Sequence, residues 1–327
     1  MFVAKYRHNH IAARGYLKAW SCDDLVTCHF VDGRRQDLPI AHVAVRSGFY
    51  VEARPDGTRS TAVEEAMNPV ETNAIEILRT LEQRWPLERR ERATIAEFLG
   101  LQALRGPAWK DRYEQLRDST LDEQRASAGV HSEDLERFAE HAHTDAHRFR
   151  TMMAQLPKFS TMFGSMHWTL LRFRSPRLLT SDQPLAPVVF DPQQPRSTPA
   201  AMPSQGIINT VEWRFPVSPR LALICCWLDE PDDGPPRDGA RHVMSNINFS
   251  VRAQADLQWF HLPGVSVPHP TAIYRPVSYE LHRSYGSREV EHSERRRRVK
   301  AMIDEMIAAG GIPRKMSLLS VQRSAAA

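Results

Sequence analysis

The chain has 327 residues, of which 42% are hydrophobic and 25% are charged, and its net charge is +4 with a pI of about 9.0. This composition is that of a globular protein and excludes a fully disordered chain. No apolar run reaches the roughly 20 residues that cross a bilayer, and the charged, histidine-containing N-terminus does not resemble a secretory signal. Four cysteines without a C-x-x-C pattern argue against a disulfide framework or a zinc site. We therefore expect a cytoplasmic protein without a membrane partner.

The first fifty residues predict short strands. Residues 10–20 are typical of a short helix or turn with one apolar face. Residues 26–31 and 47–52 are rich in β-branched and aromatic side chains, and the turn DGRR separates them. We expect two N-terminal strands here.

A helical block follows, over about residues 60–157. Apolar residues recur there at helical spacing. The predicted helices cover 60–84, 88–117 and 120–155. We expect Pro69 to break or kink the first, Gly106 and Pro107 to interrupt the second, and Pro157 to end the third, because proline removes a helical hydrogen bond.

A β-rich block follows, over about residues 165–228. The segments that predict strands are 167–173, 177–181, 186–190, 210–217 and 220–228. The last of them contains Cys225 and Cys226 within an apolar run, so we expect both thiols to be buried. Proline-rich connections separate the strands, and residues 229–239 predict a polar surface loop.

The C-terminal region, residues 240–310, predicts helices over 240–260 and 287–309, and residues 316–327 predict a flexible tail. The succession of strands, helices, strands and helices favours an α+β fold over alternating parallel units. We expect one domain over residues 1–315, in which a central helical block packs on a mostly antiparallel sheet with short N-terminal strands.

Several common enzyme signatures are absent from the sequence. It has no G-x-x-x-x-G-K-[ST], no G-x-G-x-x-G and no G-x-S-x-G. This argues against P-loop, dinucleotide-binding and α/β-hydrolase chemistry.

Short signatures in a fixed order resemble domain-of-unknown-function family 4238. They are HIAARGYLKAW (10–20), Phe49-Tyr50, Glu64 with Glu71, FLGLQALRGP (98–107), WTLLRFRSPRLLTSDQPL (168–185), FPVSPRLAL (215–223) and Asn246 or Asn248. They run from about residue 8 to 260, and Trp20, Gly106 and Gln183 depart from the pattern. The resemblance implies a fold and a set of candidate positions, and some relatives suggest a toxin or defence setting. It implies no established activity.

Carboxylates form the first group of candidate site residues. Asp182, with Ser181, follows a predicted strand and precedes a proline, which is a common place for a catalytic or metal-binding carboxylate. The same residues also build turns that cap backbone groups. Glu64 and Glu71 are seven residues apart and share a helix face if the helix continues through Pro69. Glu64, Glu71 and Asp182 could hold Mg²⁺ or Mn²⁺ through oxygen ligands.

The second group of candidates lies on and around the second predicted helix. Gln102 and Arg105 fall among apolar residues, and both need partners if they are buried. Arg105 could pair with a carboxylate, or it could hold a phosphate. His10 is a candidate for proton transfer, and Arg14 and Trp168 are candidates for ligand binding.

Histidine and arginine clusters complete the set. His143 and His147 are spaced to share a metal on one helix, but the polar surroundings favour an exposed helix. Residues 295–298 are four consecutive arginines, which indicate either a solvated helix face or a nucleic-acid contact.

The working hypothesis from the sequence is a hydrolase, such as a nuclease, that acts on nucleic acid or another phosphate-bearing substrate. Asp182, Glu64 and Glu71 would supply acid, base or metal groups. Arg105 would hold the anion, Gln102 would orient it, and His10 would transfer the proton. Two alternatives stay open. One is a binding module that uses Arg105, Trp168 and the basic clusters, and the other is an internal network of His10, Arg105, Glu71 and Asp182 that joins the helical and β blocks.

Overall fold

The computed structural model describes residues 9–53, 58–128, 133–188, 210, 212–227, 233–267 and 294–308. The fold is α+β, as the sequence predicts. A helical block packs on a mostly antiparallel sheet, and the N-terminal strands are short. Among the described helices, none has the length and apolar character needed to cross a membrane. The predicted tail, 316–327, lies outside the described residues.

The described helices form a block over the first half of the chain and two further elements near its end. They are α1 (Arg14–Leu17), α2 (Ala62–Arg79), α3 (Leu81–Arg84), α4 (Arg89–Arg105), α5 (Pro107–Ala128), α6 (Glu133–Ala142), α7 (Asp145–Ser165), α8 (Arg241–Gln254) and α9 (Glu294–Ala308). Short 3-10 helices cover Lys18–Trp20 and Ile40–His42.

The strands are mostly short. They are β1 (Asn9–His10), β2 (Leu25–Phe30), β3 (Arg35–Pro39), β4 (Val45–Arg46), β5 (Glu52–Ala53), β6 (Arg59–Ser60), β7 (His167–Arg172), β8 (Thr180–Ser181), β9 (Ala186–Val188), β10 (Glu212–Ser218), β11 (Leu221–Cys226), β12 (Arg237–Asp238) and β13 (Gln258–His261). They form a five-stranded sheet in the order β12-β7-β11-β10-β9 and a four-stranded sheet in the order β3-β2-β13-β8. Two-stranded pairs join β1 to β4 and β5 to β6.

Two prolines do not end helices where the sequence predicts. Helix α2 continues through Pro69, and α7 continues through Pro157 to Ser165. Proline leaves the carbonyl four residues earlier without its amide partner. That residue is exposed Glu65 in α2, where water can serve its carbonyl. The boundary at Gly106 is confirmed, because α4 ends before it and α5 begins at Pro107, a position that needs no amide donor.

The five-stranded sheet is covered on both faces. One face packs against α4 and the end of α7 through residues such as Trp168, Phe215 and Cys225. The other face packs against α8 through residues such as Leu171 and Ile224. Burial on both sides explains why β11 is apolar at every position and why β7 is buried at every position but its last. The predicted burial of Cys225 and Cys226 is confirmed.

The four-stranded sheet has one core face and one face that borders a pocket. Val26, Cys28 and Phe260 point into the main core and are fully buried. The side chains between them in β2 and β13 point the other way, because successive strand residues alternate. All pairings in this sheet are antiparallel.

Two predicted elements near this sheet are wrong. The helix expected over 240–260 ends at Gln254, and strand β13 follows it, since β2 and β8 supply hydrogen-bond partners on both sides. The strand expected over 47–52 is reduced to β5. There, Gly48 adopts φ +68 in a turn, and the Asn9 side chain rather than a strand accepts the Tyr50 N–H.

Candidate functional site

Arg105 lies at the end of α4 at the centre of a buried polar network. Its side chain is only 4% exposed and forms an ion pair with Glu71 of α2. Its Nη2 donates to the His10 carbonyl at 2.6 Å, and its Nε donates to the Tyr50 hydroxyl at 3.2 Å. Burial opposes the charge of Arg105, but the Glu71 carboxylate and Tyr50 outweigh it and hold its pKa above the ordinary value. The guanidinium therefore stays charged and is fully engaged by protein groups.

The Glu64 carboxylate extends this network along α2. Its Oε1 accepts from Asn9 Nδ2 at 2.6 Å, and Asn9 Oδ1 accepts from the Tyr50 N–H at 3.2 Å. Both carboxylates thus hold β1 against α2. Glu64 bonds directly to the Asn9 side chain, and Glu71 pairs with Arg105, which donates to the His10 carbonyl. Because α2 is continuous through Pro69, the two carboxylates share a helix face. We call Asn9, His10, Tyr50, Glu64, Glu71 and Arg105 the Arg105 network.

Asp182 belongs to a different cluster. The residue is 2% exposed, and its carboxylate accepts three backbone N–H groups, from Asp256 at 2.9 Å, Leu257 at 2.7 Å and Gln258 at 3.1 Å. Burial raises the pKa of Asp182 to about 6, against the opposing effect of these donors. In the described part of the chain, no hydrogen bond or ion pair joins Asp182 to Arg105 or Glu71. These contacts are those of a carboxylate that caps the start of β13.

Ser181 builds the turn beside Asp182. Its hydroxyl donates to the Gln183 carbonyl at 2.7 Å and accepts from the Gln183 N–H at 3.2 Å. This is the turn geometry that serine commonly forms before proline. The side-chain hydrogen bonds of Ser181 are therefore local, whereas its backbone pairs with Trp259 of β13.

The other predicted site residues are spread over the molecule. Trp168 is fully buried, and its Nε1 donates to the Phe163 carbonyl at 2.8 Å. Gln102 is buried, and neither of its amide atoms has a hydrogen-bond partner among the described residues. Arg14 is exposed on α1. Within the described ranges, no group of three or more His, Cys, Asp or Glu side chains could hold a metal, so Glu64, Glu71 and Asp182 do not form the predicted magnesium or manganese site.

The two histidines that could share a metal on one helix do not lie on one helix. His143 is exposed in the turn before α7, whereas His147 is inside α7 and fully buried. Its imidazole lies among the rings of Tyr113, Phe138 and His141, at centroid distances of 6.4, 6.1 and 5.2 Å. Burial, reinforced by the charges of His141 and Arg150, lowers the pKa of His147 to about 4. The expected exposed helix is wrong at this position.

Buried His147 predicts a specific loss of stability in acid. The folded state resists protonation down to about pH 4, whereas the unfolded chain takes up a proton near pH 6.5. The contribution of His147 to the free energy of unfolding is therefore fully present above about pH 6.5. It decreases by on the order of 2–3 kcal/mol as the pH falls to about 4. Urea unfolding of the wild type and His147→Leu from about pH 7 to 4 should show the steeper loss in the wild type. His143→Leu is the exposed control, and parallel curves for all three would contradict this assignment.

A pocket of about 740 Å³ lies against the outward face of the four-stranded sheet. The described residues that line it are His29, Phe30, Val31, Gly33, Arg35, Leu179, Arg252, Trp259, His261, Gly264, Val265, Ser266 and Val267. They include two arginines, two histidines and no carboxylate. The wall that the structure describes is therefore cationic and partly aromatic. We call it the His29–His261 pocket.

Cross-strand pairing brings the aromatic side chains of this pocket together. His29 of β2 lies opposite Trp259 of β13, and their rings stack at a centroid distance of 3.7 Å with an interplanar angle of 10°. His261, two residues further along β13, places its Nε2 3.1 Å from the Nε2 of His29. The guanidinium of Arg252 lies 5.4 Å from the Trp259 ring centroid. Arg35 is the β3 neighbour of His29 in the same sheet.

None of the pocket side chains is a predicted site residue. The signal available in the sequence is alternation. In VTCHFV, Thr27 and His29 alternate with buried apolar residues. In QWFH, Trp259 and His261 lie on either side of buried Phe260 and point to the opposite face. Interpreting residues 240–260 as one helix hides the second half of this pattern, since period-2 alternation carries meaning only in a strand.

Comparison with known proteins gives a family and no annotated relative. The model of the family described as Protein of unknown function (DUF4238) matches residues 8–260 of the chain. Comparison with the curated proteins found no match, and comparison with the solved structures found none. The matched span contains the whole Arg105 network and the pocket residues His29 and Trp259. The signatures, their order and this match establish that the chain belongs to the DUF4238 family.

Proposed function

We propose that this protein binds a small phosphate-bearing ligand in the His29–His261 pocket. The observation that carries the proposal is a pocket wall with Arg35 and Arg252 and no described carboxylate. Arginine recognises phosphate through paired, charge-assisted hydrogen bonds. The stacked pair of His29 and Trp259 offers an aromatic edge that suits a ligand with a planar ring. A nucleotide combines both properties.

The size of the pocket favours a small ligand over a nucleic-acid duplex. A volume of about 740 Å³ falls within the range typical of small-molecule sites, about 300–1,000 Å³. A nucleic acid would instead need an extended basic surface. On α9, Arg297 and Arg298 are exposed, and the side chains of Arg295 and Arg296 lie outside the described residues. The basic helix therefore keeps nucleic acid as an alternative partner, with the pocket as the primary site.

Hydrolysis of the bound phosphate ester is the second candidate function, and the histidine pair favours it. The Nδ1 of His261 lies 2.8 Å from the Leu262 carbonyl, which can only accept, so Nδ1 carries the hydrogen. Neutral His261 then has its lone pair on Nε2, facing His29. Burial lowers the pKa of His261 and keeps it neutral at physiological pH. A pair that can accept and pass a proton beside an anion site is what general base catalysis requires.

The roles first expected of Asp182, Glu71, His10, Arg105 and Gln102 change under this proposal. The contacts of His10, Arg105, Glu71 and Asp182 support structural roles for these residues, in two separate clusters rather than in the single network first considered. We assign any turnover to the His29–His261 pocket. The cytosol is kept as the predicted compartment, because all four cysteines are free thiols. A toxin or defence setting is kept on the family resemblance alone.

Binding is tested by isothermal titration calorimetry, in which the full chain is titrated with pyrophosphate and, separately, with a nucleoside diphosphate. Arg35→Ala and Arg252→Ala should each weaken both ligands by about tenfold, since one charge-assisted hydrogen bond contributes about 1.5 kcal/mol or more. Trp259→Phe should weaken the nucleotide more than pyrophosphate, which has no ring. Arg79→Ala, exposed at the end of α2, is the matched control.

The outcomes separate binding from turnover. Affinities that are equal in the wild type and both arginine variants would overturn the pocket as the phosphate site. Release of inorganic phosphate by the wild type but not by His261→Gln, at unchanged ligand affinity, would support hydrolysis. Binding without any release would leave a binding module as the function.

A further inference from the structure

We propose that His29 and His261 form a binding site for a divalent transition-metal ion, open toward the His29–His261 pocket. The two Nε2 atoms are 3.1 Å apart. The side chains come from adjacent antiparallel strands, with His29 opposite Trp259 and His261 opposite Thr27. They are therefore diagonal neighbours on one sheet face, within reach of long side chains. The inference rests on the same pocket as the proposed ligand site, but it is tested without any phosphate ligand.

The spacing of the two nitrogens fits a shared metal ion. Imidazole nitrogen binds zinc at about 2.0–2.1 Å, so one ion contacting both atoms at their present separation would subtend an angle of about 100°. That value lies between octahedral and tetrahedral geometry. The separation of the two nitrogens therefore matches that of two imidazoles bound to one ion.

The surroundings of His261 are those of a metal ligand. Its Nδ1 donates to the Leu262 carbonyl at 2.8 Å, which fixes the ring and leaves the Nε2 lone pair directed at His29. A hydrogen bond from the far ring nitrogen to a backbone carbonyl is the usual support for a metal-binding histidine. The ring of His29 is held in turn by stacking on Trp259. Both imidazoles are thus oriented before any ion arrives.

The proton balance of binding is simple. In the metal-free pair, the Nε2–H of His29 donates to the Nε2 of His261, because two facing lone pairs would repel. A bound ion takes both lone pairs, and the hydrogen of His29 moves from Nε2 to Nδ1 by exchange with solvent, so the imidazole stays neutral. Metal affinity should therefore fall as the pH drops and the imidazoles become protonated.

The ligand set decides which metal binds. Two imidazoles favour Zn²⁺, Ni²⁺ or Cu²⁺ over Mg²⁺ and Mn²⁺, which prefer oxygen. Among the described residues there is no third histidine, cysteine or carboxylate to complete a closed site. Water or an anionic ligand would fill the remaining positions, so the site would be more open than a catalytic zinc site with three protein ligands. An ion here would add positive charge beside Arg35 and Arg252.

The experiment is calorimetric titration of the metal-free full chain, with any affinity tag removed, with Zn²⁺ and separately with Mg²⁺. One equivalent of Zn²⁺ should bind at the pocket, and Mg²⁺ should not compete. His29→Phe, which retains the stacking on Trp259, and His261→Ala should each weaken Zn²⁺ binding roughly tenfold or more. His42→Ala, at an exposed position, is the control and should bind as the wild type does.

Each result decides the matter. Zn²⁺ affinity that is equal in the wild type, His29→Phe and His261→Ala would overturn the proposal, as would Mg²⁺ competing at equal concentration. Thermal unfolding of both variants shows whether they fold, and the His29→Phe result stands if His261→Ala does not. Pyrophosphate titration in the presence of a chelator separates the two proposals. The protein can bind pyrophosphate when no metal ion is present, and it can bind Zn²⁺ when no phosphate ligand is present.

Discussion

Replacing Arg105 with alanine is expected to lower the free energy of unfolding by about 3–5 kcal/mol, the effect of stranding one partner of a buried ion pair. The substitution leaves the Glu71 carboxylate, whose side chain is 17% exposed, without its cation. It also removes the donors to the His10 carbonyl and the Tyr50 hydroxyl. Equilibrium urea unfolding of the two proteins measures the difference. Arg79→Ala is the control and should unfold within about 0.5 kcal/mol of the wild type, as surface substitutions usually do.

The double variant Arg105→Met with Glu71→Leu sharpens this test. Removing both charges together should cost far less than removing Arg105 alone, since no buried charge is left unpaired. A double variant that is less stable than Arg105→Ala would contradict the assignment of Arg105 and Glu71 as a structural ion pair. If Arg105→Ala unfolds like the wild type but loses all activity on a phosphate ester, Arg105 acts in catalysis and the first hydrolase hypothesis regains its support.

Replacing Arg214 with methionine is expected to destabilise the protein by a similar amount, about 3–5 kcal/mol. Arg214 and Glu212 lie two residues apart on β10, with both side chains fully buried and joined at 2.6 Å. The guanidinium also donates to the Asn246 carbonyl at 2.9 Å and to the Ser250 hydroxyl. Arg214 thereby joins the five-stranded sheet to α8. Methionine keeps much of the volume and loses every one of these bonds.

A matched control for Arg214 lies in the same hairpin. Arg220 is exposed, so Arg220→Ala should change the free energy of unfolding by less than about 1 kcal/mol. Glu212→Gln should be milder than Arg214→Met, because an amide can still accept a hydrogen bond from the guanidinium. Denaturant unfolding compares the three variants. A loss below about 1 kcal/mol for Arg214→Met would show that this ion pair contributes little to the junction of sheet and helix.

Much of the architecture is predictable from local features of the sequence. Helical spacing indicates the helices of the central block, and Gly106 followed by Pro107 marks the boundary between α4 and α5. A continuous apolar run indicates the buried strand that carries Cys225, and aromatic, threonine and leucine residues indicate the strand that carries Trp168. These features are predictable because backbone sterics and apolar periodicity act within a few residues of each other. The ordered signatures also indicate the family, which the match over residues 8–260 establishes.

The grouping of polar residues, in contrast, depends on contacts between distant segments. Asp182 and Glu71 both look like site carboxylates in the sequence, yet Asp182 caps β13 and Glu71 pairs with Arg105. Which donors a carboxylate meets depends on chain segments some 34 to 75 residues away. Local sequence therefore indicated that Arg105 needs a partner but could not choose between Glu71 and Asp182.

The four-stranded sheet shows most clearly the difference between what the local sequence predicts and what contacts between distant segments decide. By itself, the sequence determined an α+β protein of the DUF4238 type with buried polar residues that need partners. Only the tertiary structure decided that residues 258–261 form a strand, because β2 and β8 satisfy their backbone groups from both sides. That pairing places His261 beside His29, 232 residues away along the chain. A short segment has no intrinsic preference strong enough to specify such a partner, so the pocket appears only once the sheet is assembled.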